Sequence, residues 1–152
     1  MAKAIPEGFH SLTPHITVSN AKQAIEFYQK AFGARLVRSS PGPDGRLMHA
    51  ELQIGDSRLM LNDDFPEMRG GSPLEHGTRN VVLNLYVENA DATFNQALAA
   101  GATTTFPLAD QFWGDRYGQV QDPFGFTWAI ATHVKDVTPE EVSKAAAAMF
   151  GG

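Results

Sequence analysis

The chain states one pattern twice. V-S-N-A at 18 to 21 opens a helical stretch that closes on A-F-G-A at 31 to 34. V-E-N-A at 87 to 90 opens another that closes on A-A-G-A at 99 to 102. Asn20 and Asn89 are the caps, Ile25 and Phe94 the apolar anchors, Gly33 and Gly101 the stops. Gly55 and Asp56 fall near Phe124 and Gly125, and Leu59 to Leu61 near Trp128 to Ile130. Cap, anchor and stop recurring in one order mark a duplicated module. The expected fold is α+β, two tandem βαβββ modules forming a cleft within one domain, 1–152. Module one runs from about 9 to 64, module two from about 79 to 134, and a C-terminal helix from about 138 to 149.

Local pattern supplies the elements. Residues 1 to 10 read as an arm. Leu12 to Val18 alternates as a strand. Asn20 caps a helix with Gln23 at N3, and Ile25, Tyr28 and Phe32 form its buried stripe, with Phe27 also assigned to the core. Strands are expected at Arg35 to Ser39, Arg46 to Ile54 and Ser57 to Asn62, the last two joined at Gly55 and Asp56. A connector spans 63 to 79, with Gly70 and Gly71 as a flexible joint and His76, Arg69 and Arg79 exposed. Module two repeats the order. Asn80 to Val87 is a strand, Asn89 caps a helix to Ala100, and Thr103 to Phe106 is a strand. A loop follows from Pro107 to Asp115, then two strands around the turn at 122 to 125. Thr138, Pro139 and Glu141 begin the last helix as N-cap, N1 and N3.

Composition narrows the function. The 152 residues are 43% hydrophobic and 19% charged, ordinary for a globular chain. No apolar run has membrane-spanning length, and the N-terminus lacks the apolar core of a secretory signal. With no cysteine, disulfide and thiolate chemistry are excluded, and a cytoplasmic location is expected. A net charge of -5 argues against nucleic acid as partner.

Strand alternation separates two faces. Ile16, Val18, Ala50, Leu52, Ile54, Leu59, Leu61, Leu83, Leu85 and Val87 should meet the helices. The opposite face carries Thr13, His15, Thr17, His49, Glu51, Gln53, Arg58, Met60, Asn62, Val82, Asn84 and Tyr86. Its His, Asn, Gln, Arg and Tyr content suits hydrogen bonding to a small molecule in a cleft.

L-T-P-H-I-T-V at 12 to 18, A-I-E-F-Y-Q-K-A-F-G-A at 24 to 34 and M-H-A-E-L-Q-I-G-D at 48 to 56 carry a family resemblance. So do D-Q-F-W-G-D-R-Y-G at 110 to 118, D-P-F-G at 122 to 125 and W-A-I-A-T-H at 128 to 133. Together they resemble the vicinal oxygen chelate superfamily of glyoxalases, extradiol dioxygenases, and fosfomycin-resistance and bleomycin-binding proteins. The nearest branch is the PhnB-like group of glyoxalase/bleomycin resistance proteins. The resemblance implies the tandem-module fold and a homodimer. It places the metal-ligand positions at Thr13, Met60, Val82 and Ala129. None of these is a ligand of the His, Glu or Gln type, so a standard glyoxalase I or extradiol dioxygenase is not expected.

Three functions stay open. The first is small-molecule binding, with chemistry, if any, by His49 and Glu51 as an acid/base pair in which Glu51 raises the pKa of His49. His15, Arg58, Asn84, Tyr86, Gln111, Trp113 and Arg116 would line the ligand, with Trp113 and Tyr86 stacking and Arg58 or Arg116 meeting an anionic part. The second is sequestration of a bleomycin-type antibiotic, which the acidic balance favours. The third is a lyase or isomerase with a divalent metal displaced to His15, His49 and Glu51.

Overall fold

The structure, a computed structural model, describes residues 2–68 and 81–151. Expectations for Arg69, Gly70, Gly71, His76, Arg79 and Asn80 lie outside the described residues. The chain divides into two compact units, Met1–Gly77 and Thr78–Gly152.

The first unit runs β1 (His15–Val18), α1 (Ala21–Phe32), β2 (Arg35–Pro41), β3 (Leu47–Ile54) and β4 (Ser57–Asp63), followed by one 3-10 turn at Pro66–Met68. Its sheet has the order β1-β4-β3-β2, with β1 parallel to β4 and the other pairs antiparallel. The helix starts where expected: the Asn20 side chain accepts from the Gln23 amide at 3.1 Å. It stops at Gly33, whose φ of 67° lies in the left-handed region that a β-carbon disfavours. A second anchor was not anticipated. Buried Asp63 accepts from the Ala21 amide at 2.8 Å and the Leu47 amide at 2.7 Å, fastening the helix start and β3 to the end of β4.

The second unit repeats the order: β5 (Val82–Tyr86), α2 (Ala90–Ala100), β6 (Thr103–Asp110), β7 (Asp115–Gln121), β8 (Thr127–His133), then α3 (Pro139–Gly151). Its sheet order is β5-β8-β7-β6, with β5 parallel to β8. The expected loop at 107 to 115 is a correction. Strand β6 continues to Asp110, because pairing with β7 shifts register between Thr104 and Phe106 and again between Phe106 and Ala109. Such irregularities on an edge strand accommodate Pro107, which has no amide to donate. The turn at 122 to 125 is held by buried Asp122, which accepts from the amides of Phe124 and Phe126 and from the Trp128 indole, each at 2.9 Å. Thr138 and Glu141 form the reciprocal cap of α3.

The predicted apolar faces are those that meet the helices. Ile16, Val18, Ala50, Leu52, Ile54, Leu59 and Leu61 are buried, together with Ala24, Ile25, Phe27 and Tyr28 of α1. In the second unit Leu83, Leu85 and Val87 are half-buried, while Trp128, Ile130 and Phe94 are buried. Among the described residues, no helix is long and apolar enough to cross a membrane.

Candidate functional site

Directly paired strand residues share a sheet face, so the registers lay out the polar face of the first sheet as a grid. His15, Met60, Glu51 and Arg38 form one row across β1, β4, β3 and β2. Two residues further along each strand, Thr17 pairs with Asn62, and His49 pairs with Ser40. On the other side of the central row lie Arg58, Gln53 and Arg35.

At the centre, Glu51 is 2% exposed. Its Oε2 accepts from Arg38 Nε at 2.5 Å and lies 3.7 Å from His49 Nε2. The second distance is too long for a hydrogen bond but close enough for attraction once the imidazole is protonated. His15 stands edge-on to His49, with ring centroids 5.8 Å apart. His15 Nε2–H donates to Asn62 Oδ1 at 2.7 Å. That bond fixes the tautomer and leaves the Nδ1 lone pair open among the described residues. Beside His15, a cleft of about 320 Å³ is lined by Thr17, Met48, Asn62, Asp64, Phe65 and Met68. Its volume lies at the small end of ligand sites.

Arg38 was missed by sequence reasoning. Strict alternation puts Val37 opposite Glu51. The pairing shifts between Leu36 and Arg38, and that bulge turns the guanidinium onto the Glu51 face. No composition or spacing signal marks it.

The second cluster is distributed differently from the expectation. Asp115 is 4% exposed. It accepts from Tyr86 at 2.8 Å and Trp113 at 3.1 Å, and it meets His133 Nδ1 at 2.8 Å. Burial works against its charge, but the hydrogen bonds from His133, Tyr86 and Trp113 outweigh it and hold its carboxyl below the usual range. The same bond, with burial, raises the Tyr86 phenol. His133 is raised by Asp136, 2.8 Å from Nε2, and by Asp115. Arg116 alternates to the opposite side from Asp115 and Tyr117. It binds Asp91 of α2 at 2.7 and 2.9 Å and Asp110 at 3.1 Å. It therefore does not join Trp113 in one ligand wall. Gln111 donates to the Ala109 carbonyl at 3.2 Å. Asn84 lies in register with Ala129.

The metal positions implied by the resemblance do not fit a metal. Thr13 and Met60 are poor donors, and Val82 and Ala129 have no donor atom. The displaced set does not fit either. Among the described residues, no group of three His, Cys, Asp or Glu side chains converges on one point, and Arg38 already sits on Glu51.

Comparison with known proteins places this geometry in a family. An uncharacterized protein of Mycobacterium bovis is 46% identical over 145 residues, covering 93% of this chain and 95% of its own. A lactoylglutathione lyase of Haemophilus influenzae is 27% identical over 112 residues, covering 73% and 83%. The crystal structure of protein PA1353 from Pseudomonas aeruginosa superposes with a TM-score of 0.68 at 28% identity, covering 83% of this chain and 99% of its own. Residues 8–130 match the family profile, and the chain belongs to the Glyoxalase/Bleomycin resistance protein/Dioxygenase superfamily.

Proposed function

We propose that this protein is a small-molecule-binding member of the PhnB-like branch, and that its ligand lies on the polar face of the first sheet over Glu51, His49 and His15. The observation that carries this is the state of Glu51. A carboxylate buried to 2% normally collects several donors. Here, among the described residues, one guanidinium, itself 69% exposed, is its only side-chain hydrogen-bonding partner, with an imidazole at 3.7 Å. The arrangement has spare acceptor capacity, and His15, in the same row of the sheet, lines the cleft.

Where the bound molecule carries an ionisable hydrogen, the open Nδ1 of His15 is placed to accept it. His49 Nε2 stands 3.7 Å from Glu51 Oε2 on the same face. No step requires a metal ligand at the four inherited positions. This favours proton transfer or simple binding over Lewis-acid chemistry at those positions.

The test is a metabolite screen read by the ring resonances of His15 and His49, repeated on Glu51→Gln. Ligands are expected to move both rings together, with affinity at least tenfold weaker in the variant. Ligands that bind without moving either ring, or that bind Glu51→Gln equally well, place the site elsewhere.

A further inference from the structure

The arginines are not used alike. Arg38 holds Glu51, Arg46 holds Asp44 and Glu67, and Arg116 holds Asp91 and Asp110. Arg35 is exposed to water. Arg58 is different: it is half-buried, no carboxylate pairs with it among the described residues, and its Nε is buried without a hydrogen-bond acceptor. A charged donor removed from water with nothing to receive it is costly, and it marks a place where a partner is missing.

What covers Arg58 is the N-terminal arm. The Phe9 ring lies 5.0 Å from the guanidinium carbon. The Gly8 backbone comes so close that an added β-carbon would stand 2.4 Å from Nη2, and Gly8 has φ +85°, where side chains are disfavoured. Among the described residues, the hydrogen bonds and ion pairs of 2–12 stay within the arm, between Phe9 and Pro6 and between Lys3 and Glu7. Between arm and sheet, the roof over Arg58 therefore rests on a ring-to-cation contact rather than on hydrogen bonds.

Arg58 also has a fixed place in the grid. It precedes Met60 by two residues and Asn62 by four on β4. At about 3.3 Å per residue, it stands roughly 7 Å from the central row and roughly 13 Å from the Asn62 end, where the cleft opens. Along this face stand three guanidiniums, at Arg35, Arg38 and Arg58, against two carboxylates, Glu51, which Arg38 already holds, and Asp64 at the cleft end. This is a local cationic surplus on a chain of net charge -5.

We infer that the ligand of this face is an amphipathic anion. Its carboxylate or phosphonate docks on Arg58 under the arm, its middle crosses Glu51 and His15, and its apolar end enters the cleft of Met48, Phe65 and Met68. This rests on the proposed site and adds the chemical class of what fills it. With the arm raised, Nε–H and an Nη–H present the parallel fork that a carboxylate or phosphonate accepts, and Phe9 then closes over the ion pair.

The experiment compares 4-phenylbutyrate with its neutral amide and with 4-phenylbutylamine. Calorimetry gives affinity, and the ring resonances of His15 and His49 give location, on wild type, Arg58→Gln and Arg58→Lys. The expected result is saturable binding of the carboxylate at least tenfold tighter than of either analogue. That preference is lost in Arg58→Gln and kept within a few fold in Arg58→Lys. Equal binding of the amide or amine, with the same ring shifts, overturns the anion inference and leaves the site standing. A carboxylate preference that survives in Arg58→Gln overturns the role of Arg58. Absence of ring shifts with all three probes removes both. Should Arg58→Gln fail to fold, the wild-type ranking of the three probes together with Arg58→Lys decides.

Discussion

Each unit buries one carboxylate on the corresponding strand of the same topology, and the two are treated in opposite ways. Asp115 on β7 is closed off: phenol, indole and imidazole all point at it. Glu51 on β3 has one exposed guanidinium in hydrogen-bond reach and an imidazole that stops short. A closed set of donors holds a loop and a strand end together and leaves nothing to offer a ligand. An open set retains acceptor capacity and can respond to what arrives. Duplication supplied two equal frames, and side-chain content made one a brace and the other the proposed site.

Replacement by apolar side chains is the sharpest way to break this comparison. Asp115→Leu removes the common acceptor of Tyr86, Trp113 and His133. It should cost about 2 kcal/mol in chemical denaturation, since charged hydrogen bonds are lost and donors are left without a partner. Glu51→Met should change stability by less than about 1 kcal/mol, because replacing a buried ion with a well-packed apolar group is often neutral. The same variant should abolish ligand binding. Equal losses in the two variants would show that Glu51 is also a brace.

The smallest effect is a pH dependence confined to the second unit. His133 is raised above its ordinary 6.5 by Asp136 and Asp115. Its contribution is complete below 6.5 and is lost as pH rises through the raised value. Asp115 is lowered below its ordinary 3.8. Its contribution is present above 3.8 and is lost as pH falls through the lowered value. Thermal midpoints of wild type and His133→Gln should therefore differ most between about pH 4 and 6.5, and converge at alkaline pH. A difference independent of pH would remove His133 from the account.

Much of the fold was legible because its signals are local. Asn20, Gly33, Asn89 and Thr138 act on amides within a few residues, and alternation along β1, β3 and β4 separates core from polar face without reference to neighbours. His15, His49 and Glu51 share a face for the same reason. The misplaced residues are those governed by pairing between strands. Arg38 reaches Glu51 only through a bulge in β2, and β6 runs past Pro107 through two shifts in register. Arg116, grouped with Trp113 along the chain, is turned to the helix side and taken up by Asp91. Asp63 is one residue past the expected end of its strand, yet it fastens Ala21 and Leu47 from 42 and 16 positions away.

The sequence by itself determined the duplicated βαβββ order, the helix limits, the polar face and the lack of usable metal ligands at the inherited positions. All of these depend on residue identity and short-range periodicity. Tertiary structure alone decided which polar groups are spent and which are free. That depends on cross-strand register, where one inserted residue reverses the face every later side chain presents. Through that register Arg116 is consumed, Asp115 is enclosed, Glu51 is left with one guanidinium, and Arg58 Nε is left without an acceptor among the described residues.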